Sequence, residues 1–267
     1  MKIGICFKDS HEAKILSSEI EEFLRERGID VFFPERDGVE KDSLILSLGG
    51  DGTFLRAFHF AFPYDAPILG INLGSMGFLT DVEKEDVFSS LEKLLSGKFL
   101  VEERLVIECE LKRGGKNLGK FYSFNDFVIA RDIFSPIIVL EIFVDGKFAG
   151  TIKGDGAIIS TPNGSTAYSL SAGGPIVSPK SEVYILTTLC SHKLTSRPLV
   201  LSDKEKLSLT LINSSGKTYF IEDGRKREIL ASGDYMQFFR SKRNAKLVRL
   251  KEKNFYDVLN SKFHWGD

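Results

Sequence analysis

Cysteine is scarce, and what remains of it is arranged for nothing. Cys6, Cys109 and Cys190 are odd in number and have neither the paired spacing of a metal site nor that of a redox motif. A disulfide framework and a zinc fold are therefore excluded. All three lie in apolar stretches, the setting of buried, reduced thiols, which suits a reducing cytoplasm. Charge of one sign is also lacking. Lys and Arg total 36 against 37 Asp and Glu, a net charge of −1, so nothing draws the chain as a whole to nucleic acid or to an anionic membrane. Long apolar runs are missing too: none approaches a bilayer span, and that of the opening "MKIGICFKDSHEAK" is too short for a signal peptide. No long linker, low-complexity tract or internal repeat interrupts the chain. His11, His59, His192 and His264 show no ligand spacing, which favours structural roles over metal binding.

What is present is an ordinary globular mixture, 42% hydrophobic and 27% charged over 267 residues, enough for one large domain or two modest ones. The first hundred residues alternate strand and helix signals. "KIGICF" reads as a strand, and Asp9 with Glu12 as a capping box. Ile15, Leu16, Ile20, Phe23 and Leu24 share a helical face that Gly28 ends. "IDVFF", "SLILSL" and "PILGINL" are further strands, with helices over 53–61 and 84–95. Such alternation implies a parallel sheet with covered faces, a Rossmann-like α/β domain. From about residue 100 the pattern becomes β-branched and aromatic, with Asp145-Gly146 a strong hairpin signal. The expected organisation is an α/β domain over 1–100 with a terminal helix, 254–267, packing back onto it. A predominantly antiparallel β domain fills 101–253. Residues 240–253 carry Arg240, Lys242, Arg243, Lys246, Arg249, Lys251 and Lys253 against the one acid Glu252. Such a run reads as a solvated face rather than a nucleic-acid site.

Four stretches can carry chemistry. In "SLGGDGTFLR", Gly49, Gly50, Asp51 and Gly52 leave a strand and enter a helix. Glycines there let backbone N–H groups face an anion at a helix N-terminus. This is neither a Walker loop nor a dinucleotide fingerprint. A tight turn with Asp51 as its cap stands beside a phosphate cradle of Gly49, Gly50, Gly52, Thr53 and Arg56. The excess of glycine favours close approach by a ligand. "NLGSMGFL", 72–79, is a second glycine loop after a strand, and two such loops can frame one crevice at the carboxyl ends of a sheet. "FNDF" places Asn125 and Asp126 in an apolar strand, where they sit at an edge, bond internally or face a ligand. "KGDGAIISTPNGSTAYSLSAGG", 153–174, breaks the β pattern with many short donors and acceptors suited to ribose and base edges.

Taken together these stretches resemble the NAD kinase family, over nearly the whole chain. "GGDGT" is similar to a loop shared with diacylglycerol, sphingosine and phosphofructokinase-type kinases. "GDGAIISTPNGSTAYSLSAGGPI" is similar to the family's NAD-recognition stretch, and "SFNDFVIAR", "LTSRPLVL" and "VLNSKFHWG" resemble three further segments. The resemblance implies transfer of the γ-phosphoryl group of ATP, with Mg²⁺ or another divalent metal, to the 2′-hydroxyl of the adenosine ribose of NAD. Asp51 matches the catalytic aspartate. Asp51, Gly52, Asn125, Asp126, Lys153, Asp155, Asn163, Thr166, Ala167, Tyr168, Ser169 and Ser171 are the NAD-binding positions it implies. It also implies a homodimer or homotetramer with no nucleic-acid or membrane partner. Asp126 replaces the family's usual glutamate, Asn163 stands where Thr or Ser is common, and Arg225 where Gln is frequent. A lipid or sugar kinase sharing "GGDGT" and a non-catalytic dinucleotide sensor are the competing readings. The polar "TPNGSTAY" loop argues against the first, and the retained Asp51 against the second.

Overall fold

Apolar runs punctuated by glycine, proline and aspartate become short strands with tight connections. The computed structural model describes residues 2–74, 77–193, 195–252 and 254–265. Ser75 and Met76 of the second glycine loop, Leu194 of "LTSRPLVL", Lys253 of the basic run and Gly266 of the terminal motif lie outside the described residues. In chain order come β1 (Lys2–Phe7), α1 (His11–Glu26), β2 (Asp30–Phe32), α2 (Pro34–Asp37), β3 (Ser43–Leu48) and α3 (Asp51–Ala61). Next are β4 (Ile68–Asn72), β5 (Val82–Glu83), α4 (Val87–Leu95) and β6 (Leu100–Arg104). A long β segment follows: β7 (Ile107–Arg113), β8 (Lys116–Ser123), β9 (Asp126–Arg131), β10 (Ile138–Val144), β11 (Lys147–Gly154) and β12 (Gly156–Ser160). After the short helix α5 (Tyr168–Ser171) come β13 (Val183–Leu189), β14 (Leu199–Ser202), β15 (Leu207–Asn213), β16 (Thr218–Glu222), β17 (Arg225–Leu230) and β18 (Tyr235–Arg240). The chain closes with β19 (Ala245–Arg249) and α6 (Phe255–Phe263).

Two compact units divide the chain, Met1–Arg104 with Ala245–Asp267, and Leu105–Asn244. In the first, one mixed sheet runs β2-β1-β3-β4-β19-β6, with β5 also paired to β4. β1 to β4 are parallel, β19 is parallel to β4, and β6 is antiparallel to β19. Its core joins Ile3, Ile5, Leu46 and Leu48 of the central strands to Leu16, Ile20 and Leu24 of α1 and Val87, Leu91 and Leu94 of α4. The units differ from the expected domains by two strands. Residues 101–104 and 245–249 belong with the α/β unit because β6 and β19 pair with each other and extend its sheet. Their β-rich composition looks like the neighbouring domain, and pairing decides otherwise.

α1 begins one residue later than the Asp9–Glu12 spacing implies. Ser10 is the N-cap, its hydroxyl accepting from the Ala13 amide at 3.3 Å. Asp9 and Glu12 are instead drawn into ion pairs with Lys14 and Lys84. We expect Ser10→Ala to lower stability by about 1 kcal/mol and Asp9→Ala by less. Urea unfolding of the two variants checks this, and a larger loss at Asp9 would return the cap to it.

The second unit is a pair of six-stranded antiparallel sheets, β11-β10-β15-β18-β7-β8 and β14-β13-β12-β9-β16-β17. Alternate residues of each fill one core: Leu207, Leu209 and Leu211 of β15 and Ile138 and Leu140 of β10 from one, Phe127 and Ile129 of β9 and Ala157 and Ile159 of β12 from the other. Val128, Ile158 and Leu189 on the opposite face form a second cluster with Ala172 just after α5. β12 is therefore buried on both faces, which is why its sequence does not alternate. At Asp145-Gly146 both residues take positive φ, 48° and 76°, as the hairpin signal requires.

Two further expectations are corrected. Cys6 and Cys109 are buried, but Cys190 is exposed, at φ 44° where the chain turns out of β13. The basic run is not simply a solvated face. Arg240 pairs with Glu182 and Asp203, Lys246 with Asp65, and the buried Arg249 with Asp81 and Glu102. Among the described residues no helix is long and apolar enough to cross a membrane.

Candidate functional site

Three backbone positions shape the turn between β3 and α3. Gly49 has φ 154°, and a Cβ there would lie 2.3 Å from the hydroxyl of the buried Thr53. Beside Gly50 and Gly52 a Cβ would meet nothing within 4 Å. Packing within the chain does not require glycine at those two positions, and the space next to their backbone is open. Gly50 is the N-cap and Asp51 opens α3, so the free amides and the positive end of an 11-residue helix stand at this turn.

Asp51 does not cap its own helix. β3 and β4 are parallel neighbours, so the loops after them leave the same end of the sheet. From the second loop the Phe78 amide donates to Asp51 Oδ2 at 3.2 Å and the Leu79 amide to Oδ1 at 3.1 Å. A Cβ on Gly77 would come within 2.3 Å of Oδ1, so this position admits no side chain while the carboxylate stays in place. Lys262 Nζ of α6 lies 3.4 Å from Oδ2. The two glycine loops thus meet at this carboxylate. Arg56, expected at phosphates, is engaged elsewhere: its guanidinium donates to the Phe7 carbonyl and pairs with Glu35 at 3.0 Å.

In the β unit the organising group is Asp223, at the β16–β17 turn. Its Oδ1 accepts from the Ser123 hydroxyl at 2.6 Å and from the Asn125 and Asp126 amides at 2.8 and 3.1 Å, and its Oδ2 accepts from the Phe124 amide at 2.9 Å. Four bonds from four consecutive residues fix the "SFND" corner. Asn125 Oδ1 is left buried without a partner. Asp126 is 6% exposed. Burial first, and then the charge of Asp223, push its carboxyl up to about 7. Buried polar groups lacking partners within a chain are what a ligand would satisfy.

The "TPNGSTAY" segment lies against that corner. The Thr161 hydroxyl donates to the Phe124 carbonyl at 2.6 Å, and the Thr161 amide to the Asn125 carbonyl at 2.9 Å. Beyond it the Thr166 hydroxyl donates to the Asn163 carbonyl at 3.3 Å, and Asn163 Nδ2 to the Leu105 carbonyl at 3.4 Å. Ala167 is half-buried, and Tyr168 and Ser171 are exposed. Ser169 is fully buried, with its hydroxyl 2.9 Å from that of Thr187. Asp155 accepts from Arg131 Nε at 2.6 Å, and Lys153 is exposed on β11.

Comparison with known proteins agrees from two directions. The family model described as the ATP-NAD kinase N-terminal domain matches residues 38–99, and that of the ATP-NAD kinase C-terminal domain matches residues 124–250. The NAD kinase of Natranaerobius thermophilus is 39% identical over 260 residues, 95% of this chain and 91% of its own. The chain belongs to the NAD kinase family. The NAD kinase of Syntrophotalea carbinolica is 36% identical, with 100% and 99% of the two chains covered. Two solved structures share the fold. Yeast NADH kinase complexed with NADH superposes with a TM-score of 0.86 at 24% identity, covering 100% of this chain and 88% of that one. An Archaeoglobus fulgidus NAD kinase in complex with ATP gives 0.76 at 24% identity, covering 98% of each.

Within that family frame, reading residues one stretch at a time missed the groups that support the candidate residues. Asp223, Arg131, Lys262 and the amides of Phe78 and Leu79 were not singled out. The signal for Asp223 was available, since an acid before a turn glycine in "IEDGR" sits next to strands that need a cap. Backbone amides carry no residue identity and leave no such trace.

Proposed function

We propose that the chain is an NAD kinase, which transfers the γ-phosphoryl group of ATP to the 2′-hydroxyl of the adenosine ribose of NAD and releases NADP and ADP. The observation that carries this is Asp51, a carboxylate pinned by two amides beside an open, glycine-lined helix N-terminus. In the reaction the ribose oxygen forms a bond to the γ-phosphorus while the bond to the ADP oxygen breaks. The hydroxyl proton passes to Asp51. Such transfers need positioning and charge neutralisation more than covalent help. Gly49, Gly50, Gly52 and Thr53 offer backbone donors to phosphate oxygens. Asn125, Asp126, Asp155, Asn163, Thr166, Ala167, Tyr168 and Ser171 are the set we assign to NAD, with Lys153 nearby. NADH and ATP, the ligands of the two solved neighbours, are the kinds of molecule this reaction requires.

Among the described residues no group of three or more His, Cys, Asp or Glu could cage a metal. The donor set fits a divalent ion that arrives on the triphosphate and would be held by phosphate oxygens rather than by a cluster of side chains. Bound there, Mg²⁺ supplies neutralisation of the phosphate charge. We assign the enzyme to the cytoplasm, as a homodimer or homotetramer.

Purified protein with ATP, Mg²⁺ and NAD should yield NADP, read by an NADP-specific dehydrogenase. NAD binding without turnover would point to a sensor, and no NADP above background would remove the assignment.

A further inference from the structure

The C-terminal helix carries a cation to the base. α6 docks through Val258 and Leu259, which are 3% and 2% exposed. The Phe78 ring packs against Phe255 at 5.7 Å and stacks with Phe263 at 6.0 Å between centroids. Lys262 Nζ sits 4.9 Å from the centroid of the Phe78 ring and 3.4 Å from Asp51 Oδ2. Phe78 therefore acts twice: its amide holds Asp51, and its ring holds the helix that brings Lys262 to the same oxygen.

A carboxylate has about four acceptor positions. Among the described residues three are filled, one on Oδ1 by Leu79 and two on Oδ2 by Phe78 and Lys262. Both positions of Oδ2 are thereby held, one by an amide of the second glycine loop and one by the ammonium of α6. Charge works in the same direction. An uncompensated carboxylate repels the polyanionic phosphate donor, and an ammonium on its far oxygen offsets that charge without blocking Oδ1.

We propose that Lys262 is a positioning residue for phosphoryl transfer, holding Asp51 through Oδ2 in the orientation that meets the substrate hydroxyl and neutralising it toward the incoming phosphate. The inference rests on the NAD kinase reading, and wild-type turnover is its reference: an inactive wild type would sink that reading, whereas the following comparisons concern Lys262 alone.

The test is Lys262→Met, which keeps the stem over Phe78 and removes the charge, together with Lys262→Arg and the double variant with Asp51→Asn. Lys262→Met should lower kcat by about 10- to 100-fold, with KM for NAD within about threefold and an unchanged melting temperature. Lys262→Arg should recover most of the loss. Because Lys262 acts through Asp51, adding Lys262→Met to Asp51→Asn should cost little more. Wild-type kcat in Lys262→Met overturns the proposal, as does a loss fully additive with Asp51→Asn. A loss that tracks a lowered melting temperature and is not recovered by arginine would make the contact structural, and overturns it equally.

Discussion

Asp51→Asn is expected to lower kcat by about 10²–10⁴-fold, the range of a positioned general base, while NAD affinity stays within severalfold. The carboxylate accepts from both Phe78 and Leu79. A carboxamide has one acceptor oxygen, so it can satisfy one of those amides while its NH₂ group turns toward the other or toward Lys262. The variant therefore loses the proton acceptor and also loosens the loop that holds it. Calorimetric titration with NAD separates the effects, since the groups assigned to NAD in the β unit are untouched. Near-normal turnover would reduce Asp51 to a turn residue.

The second large effect is on stability. Asp126 is buried, and no group among the described residues donates to its carboxyl, which is pushed up to about 7 by burial and by Asp223. The native state therefore holds a proton there that the unfolded chain gives up near 3.8. The contribution runs one way: stability is fully present below about pH 4 and is lost as the pH rises to about 7. A difference of about three pH units corresponds to up to about 4 kcal/mol. Asp126→Asn removes the titration, so its advantage over wild type should be small at pH 5 and grow toward pH 8 in urea unfolding without nucleotide. Parallel profiles for the two proteins would refute this. In wild type the same carboxyl changes from donor to acceptor near neutrality, so NAD affinity should bend near pH 7 and stop doing so in the variant.

These two residues also mark what the sequence could reveal. Asp51 and Asp126 stand out in single-sequence terms because acids among glycines, or inside an apolar strand, break local expectation. The Asp145-Gly146 hairpin was legible because that dipeptide accepts two successive positive φ values. Long-range supply was not legible. Asp51 depends on amides 27 and 28 positions away and on a lysine 211 positions away. The "SFND" corner depends on an acid about 100 positions later. Hydroxyl composition does not say which way a side chain faces, and Ser169 turns inward to Thr187. The same limit hid β19, whose β-rich sequence does not reveal which sheet will take it.

The place of β19 governs how the chain can mature on the ribosome. Among the described residues β6 pairs with β19 alone, and residues 105–244 are made between them. The β unit is contiguous and has all its strands once residue 244 has emerged. The α/β unit begins first but must hold an unfinished edge until β19, residues 245–249, has been made. Completion therefore reverses the order of synthesis, and the helix bearing Lys262 can reach Asp51 only after residues 105–244 have been made. A nascent chain truncated before β19 would hold the assigned dinucleotide groups without the finished phosphoryl-transfer centre.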